Sequence, residues 1–163
     1  MRIELIPLAK NTISSNPIVL DDYSNRSYAV YFAINNNEKT FYYFKPDEAR
    51  GPAPRCDYIL ICNEDFSLRF IELKGADLPS GLDCCRNTWA HAFHQLIATY
   101  ETYAMLIDFE KDVVKMILCT SSHRFLEGKK RSATRYEQYR YYKKIREYGI
   151  TLQLLYCDER DEV

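Results

Sequence analysis

Two acids and a lysine stand among apolar residues in two neighbouring segments of this 163-residue chain. Asp57 lies in RCDYILIC (55–62), and Glu72 and Lys74 lie in SLRFIELK (67–74). Both segments have the composition and alternation of β-strands. Carboxylates in such low-dielectric surroundings repel each other and are costly to bury, and a divalent cation between them removes that cost. Oxygen ligands suit Mg²⁺ or Mn²⁺, and a nearby lysine can orient an attacking water or stabilise negative charge on a phosphate.

The turn between the two segments decides whether these side chains meet. Residues two apart on a strand face the same side, so Glu72 and Lys74 project together. If residues 63–66 form a four-residue turn, counting back along the antiparallel ladder places Asp57 opposite Glu72. A three-residue turn would put the two acids on opposite faces of the sheet. The metal site is therefore predicted for one register only.

The segment RCDYILIC followed by FIELKG resembles the signature of the PD-(D/E)xK nuclease superfamily. That signature is an Asp and an ExK motif on consecutive antiparallel strands, followed by a helix, and the resemblance covers roughly residues 55–120. Cys56 stands in place of the Pro that gives the family its name. The resemblance implies a metal-dependent nuclease with a restriction-endonuclease-like core. Carried over onto this sequence, the implied site comprises the metal-binding acids Asp57 and Glu72, the main-chain carbonyl of Leu73 and the catalytic Lys74.

Further residues join this site through the same resemblance. Gln95 sits on the following helix where several branches place a Gln near the active site, and it is expected to assist positioning. His91 lies one helical turn earlier and shares that face, which is either turned to the substrate or an ordinary helix surface. The exonuclease branch has a Tyr four residues after the Gln, whereas Thr99 stands here, which favours an endonuclease. Glu48 is the best positional substitute for an upstream acid.

The ExK spacing alone is weakly informative, because the chain contains it twice. Glu127-Gly128-Lys129 lies in a basic loop without a partner strand and is interpreted as a chance match. The copy at Glu72 gains weight from the Asp on the preceding strand and from the Gly and helix that follow. Two alternatives compete with an active nuclease. One is a solvated charge pair on an edge strand, and the other is a catalytically silent nuclease-like fold that binds nucleic acid or a partner protein.

A net charge of −1 conceals a basic segment in the last third of the chain. Between His123 and Arg146 there are nine Lys or Arg and two Glu, so this segment carries about +7 and the remainder about −8. Such asymmetry indicates a local anionic partner. We expect nucleic acid, DNA in preference to RNA, to be bound through His91 together with Arg124, Lys129, Lys130, Arg131 and Arg135. Tyrosines interleaved with these cations could stack on bases or pack against the sheet.

Hydrophobic periodicity predicts an α/β (α+β) fold in which helices flank a mixed central sheet, as one domain over residues 1–163. The resemblance implies that this domain is nuclease-like. A β-hairpin is expected near the N-terminus, from SYAVYFAI (27–34) and KTFYYFK (39–45) around an Asn-rich break, with a polar loop before it. The two acid-bearing strands follow. The remaining predicted elements are a helix that starts at Asn87 or Thr88, a buried strand over 113–120, a helix over 132–148 that ends at Gly149, and a strand over 150–157.

Six cysteines are interpreted mainly as free thiols of a reducing compartment, because four of them fall in apolar strand-like segments. These four are Cys56, Cys62, Cys119 and Cys157. A zinc site is the alternative for the other two together with nearby histidines, although the spacing of Cys84, Cys85, His91 and His94 matches no common zinc module.

No segment approaches the length needed to span a bilayer, and the N-terminal residues lack the apolar run of a signal peptide, so a cytoplasmic protein is expected. A small nuclease without its own recognition domain would obtain specificity from a homodimer, a partner protein or the shape of the DNA. A defence or mobile-element system would fit by analogy.

Overall fold

The computed structural model describes residues 11–21, 29–46, 55–74, 82–104, 113–120, 132–156 and 159–163, with only the backbone described at 82–90, 132–138 and 156. These ranges contain nine strands and two helices. The strands are β1 (Asn11–Ile13), β2 (Ile18–Asp21), β3 (Val30–Ile34), β4 (Phe41–Phe44), β5 (Tyr58–Cys62), β6 (Leu68–Lys74), β7 (Val114–Thr120), β8 (Thr151–Tyr156) and β9 (Asp161–Glu162). The helices are α1 (Leu82–Ala104) and α2 (Ser132–Glu147).

A six-stranded sheet of order β1-β4-β5-β6-β7-β8 forms the centre of this fold. Its first half is antiparallel, and β4, β5 and β6 follow one another as a meander. Its second half is parallel, because α1 connects β6 to β7 and α2 connects β7 to β8. Two crossovers of the same hand put both helices on one face of the sheet. There Phe93 of α1 and Ile145 of α2 pack with Phe70 and Leu118 of the strands.

A three-stranded sheet of order β2-β3-β9 covers the opposite face of the large sheet. Ile18 and Tyr31 of this small sheet pack with Leu60 and Ile117 of the large one in a second core. Because both faces of the large sheet are covered, β5 is buried along its whole length and reads as a continuous apolar run. A charged side chain in the middle of β5 would therefore be cut off from bulk water.

The mixed α/β fold is confirmed, but the expected pairing of the 27–34 and 39–45 segments is wrong. β3 pairs with β2 and β9 in the small sheet, whereas β4 pairs with β1 and β5 in the large sheet. Asn35 accounts for the switch, since it is fully buried and bonds to the backbone on both sides of the break. Its amide donates to the carbonyls of Ser15 and Lys39, and its Oδ1 accepts the Lys39 N–H at 2.9 Å. These bonds carry the chain from one sheet to the other.

Two other boundaries differ from the prediction. The chain before residue 26, expected as a polar loop, contains β1 and β2. The helix α1 already includes Leu82, ahead of the polar residues at 87 and 88 that the capping preference favours. Short strands and helix starts are fixed here by tertiary pairing and packing rather than by local propensity.

The short strand β9 was not predicted, and a buried charge explains why it forms. Asp161 is 1% exposed and accepts hydrogen bonds from Tyr31 Oη and Arg69 Nε, both at 2.8 Å. Charge-assisted bonds of this kind fix the final residues beside β3, although the two-residue strand itself has almost no sequence pattern.

Other expectations for the C-terminal half are confirmed. The helix α2 occupies the predicted segment, and Gly149 follows it with φ 69°, the conformation that favours glycine after a helix. Free buried thiols are confirmed for Cys56, Cys62 and Cys119. Cys157 lies outside the described residues, and so do the side chains of Cys84 and Cys85, so the zinc alternative is not addressed.

Candidate active site

The turn between β5 and β6 has the length that the site requires. It spans residues 63–66, and Phe66 ends it in the left-handed conformation with φ 58°. The N–H of Cys62 donates to the carbonyl of Ser67 at 2.9 Å, so the residues on either side of the turn face each other. The four-residue turn predicted from the sequence is therefore confirmed.

The ladder leads from this turn to the two acids. Pairing is continuous as far as Tyr58 opposite Ile71, which puts Asp57 opposite Glu72 one step further. Glu72 shares its face with Phe70, which packs beneath the helices. Asp57 is 8% exposed and Glu72 is 0% exposed. Since β6 lies between β5 and β7, the interpretation as a solvated charge pair on an edge strand is wrong.

Glu72 is a buried carboxylate beside one cation and a second acid. Lys74 Nζ lies 2.5 Å from its Oε1 and forms an ion pair with it. Neither carboxylate oxygen has a hydrogen bond of regular geometry within the described residues. Burial raises the pKa of Glu72 well above its usual range and the charge of Asp57 raises it further, whereas Lys74 and the backbone N–H of Asp57 oppose both effects. A cation shared with Asp57 would relieve this cost.

Asp57 is held by the strand that it faces. Its Oδ2 accepts the N–H of Leu73 at 2.7 Å. In an antiparallel ladder the N–H and C=O of one residue point to the same neighbour, so the carbonyl of Leu73 is also directed toward the β5 side. The N–H that would meet it there, that of Cys56, instead donates to Thr99 Oγ1 at 2.8 Å. The Leu73 carbonyl is thereby released from the ladder on the side where Asp57 lies.

Gln95 connects Lys74 to the chain that leads into Asp57. Its Oε1 accepts a hydrogen bond from Lys74 Nζ, and its Nε2 donates to the carbonyl of Arg55, both at 2.8 Å. The lysine ammonium is therefore fixed between Glu72 and Gln95. The structure brings Gln95, predicted by resemblance alone, into direct contact with the predicted lysine.

His91 lies on the same helix face as Gln95 and is exposed. Partial burial lowers the pKa of His91, and the positive charges of Lys74 and His94 lower it further. Exposure of His91 is compatible with both expectations for it, contact with a substrate and an ordinary helix surface.

The oxygen atoms gathered here fit a hard divalent cation. They are the carboxylates of Asp57 and Glu72 and the main-chain carbonyl of Leu73, and the buried Glu72 oxygens are atoms that such an ion would satisfy. Within the described ranges no group of three or more His, Cys, Asp or Glu side chains comes together. A site with only two carboxylates would suit Mg²⁺, because this ion binds proteins through one or two carboxylates and keeps several waters.

Several predicted site residues lie outside the described residues, and the structure neither includes nor excludes them. They are Glu48, Arg124, Lys129, Lys130 and Arg131, while Arg135 lies in α2 with its side chain not described. The structure does give the place where the basic segment leaves the sheet. β7 ends at Thr120, the register partner of Lys74, so the last described residue before that segment lies about one strand spacing, roughly 5 Å, from Lys74.

Sequence reasoning missed the structural role of Thr99. This residue is fully buried in α1, and its Oγ1 both donates to the carbonyl of Gln95 and accepts from Cys56. The available signal was a threonine one turn after Gln95 on the same helix face, because a buried hydroxyl needs a partner. The identity of that partner depends on tertiary packing and could not be predicted.

No family model, no curated protein and no solved structure matches this chain. Among the described helices, none is both long enough and apolar enough to cross a membrane.

Replacement of Glu72 by Gln separates the effect of this buried charge on stability from its expected role in metal binding. We expect metal-free Glu72→Gln to be more stable than the wild-type protein by about 1–3 kcal/mol, since an unsatisfied charge is removed and the shape is kept. Mn²⁺ should raise the thermal midpoint of the wild-type protein, because it binds the folded state, and should not raise that of the variant. Urea and thermal unfolding, each with and without Mn²⁺, measure the two effects.

Glu147→Gln is the matched control, because Glu147 is exposed at the end of α2. It should resemble the wild-type protein in both measurements. A Mn²⁺ response of Glu72→Gln as large as that of the wild-type protein would contradict the metal assignment.

Proposed function

We propose that this protein is a metal-dependent nuclease that hydrolyses phosphodiester bonds of nucleic acid, DNA in preference to RNA. The observation that carries the proposal is the buried convergence of Asp57, Glu72 and Lys74. Like charges directly opposite each other destabilise a sheet, and a purely structural ion pair needs only one carboxylate. The second carboxylate is explained if the pair binds a cation.

Asp57, Glu72 and the carbonyl of Leu73 would hold Mg²⁺ or Mn²⁺, and such an ion would supply an activated water and neutralise charge on the phosphate. Lys74 presents its ammonium next to Glu72, where it can orient the attacking water or stabilise charge that develops on the phosphate. Gln95 keeps the lysine in this position through the 2.8 Å bond to Nζ. The apolar surroundings strengthen each of these electrostatic interactions.

The basic segment between 123 and 146 supports a polyanionic substrate. It begins three residues beyond Thr120, which is paired in register with Lys74. In the part of α2 whose side chains are described, Tyr141 and Tyr142 pack against Phe93 of α1, so these tyrosines belong to the core. The exposed side chains on the outer surface of α2 include Tyr139, Arg140, Lys143 and Arg146. Cations that face outward suit binding of a phosphate backbone.

One such site cleaves one strand. Cleavage of both strands therefore requires a homodimer, a partner protein or two sequential events, and the imperfect Gln-Tyr spacing around Gln95 favours an endonuclease. A defence or mobile-element role remains an expectation by analogy.

Cleavage of plasmid DNA tests the proposed chemistry. The wild-type protein should nick it in the presence of Mg²⁺ or Mn²⁺ and should be inactive in EDTA. Glu72→Gln and Lys74→Met should each lower the rate by about 100-fold or more, because each removes charge at the position of the reacting phosphate. Single-turnover rates on supercoiled plasmid measure the loss.

The second ExK copy provides the control. Glu127→Gln changes the same residue type in the motif interpreted as a chance match, and its rate should equal that of the wild-type protein. Activity that survives Glu72→Gln would refute the assigned mechanism. Binding without cleavage of any DNA or RNA substrate would instead favour a catalytically silent nucleic-acid-binding subunit.

Charge reversal at Lys129, Lys130 and Arg131 tests the binding surface. In a Glu72→Gln background, which prevents cleavage, the triple change to Glu should weaken DNA binding and lower the slope of log affinity against log salt by about 2–3. Fluorescence anisotropy across a series of KCl concentrations measures the slope. Arg160→Glu, at an exposed position beside β9 in the small sheet, should leave it unchanged. An unaltered slope in the triple variant would show that this loop is only a solvated surface.

A further inference from the structure

We infer that Thr99 is a positioning residue of the metal site, which acts through a hydrogen bond to the peptide group that precedes Asp57. The inference rests on the proposed function and names a residue that the sequence signature does not include. It follows from three hydrogen bonds that α1 makes or supports.

One peptide group is held by α1 at both of its ends. The carbonyl of Arg55 accepts a bond from Gln95 Nε2 at 2.8 Å, and the N–H of Cys56 donates to Thr99 Oγ1 at 2.8 Å. These two atoms belong to the same peptide unit, between residues 55 and 56. Gln95 and Thr99 lie one helical turn apart and so act from one face of α1. Asp57 is the next residue along the chain, and its backbone is thereby tied to the helix.

These hydrogen bonds to α1 also end the β5–β6 ladder. Continuation of the ladder beyond Tyr58 would pair Cys56 with Leu73 and direct the Cys56 N–H to the Leu73 carbonyl. Thr99 takes that N–H, and the Leu73 N–H is taken by the Asp57 carboxylate. Two of the predicted metal ligands therefore depend on the bond from the Cys56 N–H to Thr99. Asp57 is oriented by it, and the Leu73 carbonyl is left free of its ladder partner.

A hydroxyl is the group that this position requires. Thr99 donates its own proton to the carbonyl of Gln95 at 2.6 Å, which leaves the oxygen lone pairs to accept the Cys56 N–H. The side chain is fully buried, so bulk water does not replace it. Valine has the same shape without the acceptor. In a Thr99→Val variant the Cys56 N–H would lack a partner unless it returned to the Leu73 carbonyl, where it would compete with a metal ion.

The experiment is calorimetric titration of the metal-free protein with MnCl₂ alone, without nucleic acid. Thr99→Val should weaken Mn²⁺ binding by about tenfold or more, the range found when an outer partner of a metal ligand is removed. Thr99→Ser keeps the hydroxyl and should bind like the wild-type protein. Thr102→Val is the matched control, because Thr102 Oγ1 makes the same bond to the carbonyl four residues earlier, at 2.8 Å, but is exposed on α1.

The outcomes separate this inference from the proposed function. Wild-type protein that does not bind Mn²⁺ would overturn both. Wild-type protein that binds Mn²⁺ together with a folded Thr99→Val variant of equal affinity would overturn the positioning role alone. Equal losses in Thr99→Val and Thr102→Val would also overturn it, because the effect would then be a general one on α1.

Hydrogen exchange of the wild-type protein decides the question if Thr99→Val does not fold. The Cys56 amide should be strongly protected, although it precedes β5, and Mg²⁺ should slow its exchange further. Exchange at the rate of an exposed loop amide, or exchange that Mg²⁺ does not change, would refute the positioning role of Thr99.

Discussion

Asp57 and Glu72 face each other across the end of the β5–β6 ladder in a sheet that is covered on both faces. Each carboxylate raises the cost of burying the other, and Lys74 supplies one positive charge against two negative ones. The helices cover one face and the small sheet covers the other, so the fold keeps water away from this pair. Two buried carboxylates that destabilise the fold, yet are held in place by their surroundings, are typical of a ligand-binding site.

The surrounding structure serves this pair in distinct ways. The antiparallel meander sets the register, and the four-residue turn keeps both acids on the helix side. The parallel half of the sheet places the end of β7 next to Lys74. The helix α1 contributes Gln95, which fixes the lysine, and Thr99, which fixes the chain before Asp57. The candidate site and the residues that hold it thus meet at the carboxyl end of β6.

Much of the site could be predicted because it depends on local rules. Strand alternation put Glu72 and Lys74 on one face, and the length of the turn put Asp57 opposite Glu72. The contact of Gln95 with Lys74 required the resemblance, since periodicity alone does not say how a helix is rotated above a sheet. Glu48 and the basic loop at 124–131 lie outside the described residues, so their part in the site stays a prediction.

The features that could not be predicted depend on partners far away in the sequence. β3 and β4 have the pattern of a hairpin, yet the bonds of Asn35 send them to different sheets. Asp161 forms a strand because Arg69 and Tyr31 meet it, at a separation of more than 90 residues. Thr99 was visible as a polar residue one turn after Gln95, but its bond to Cys56 depends on the packing of α1 over β5.

The most direct test of the central claim, that Asp57 and Glu72 share one cation, is a crystal structure with bound Mn²⁺ located by its anomalous scattering. The account predicts an anomalous peak within about 2.2 Å of a carboxylate oxygen of each acid and of the Leu73 carbonyl, with waters in the remaining positions. Crystals grown with saturating Mn²⁺ that show no peak between the two carboxylates, or a peak bound by only one of them, would contradict it.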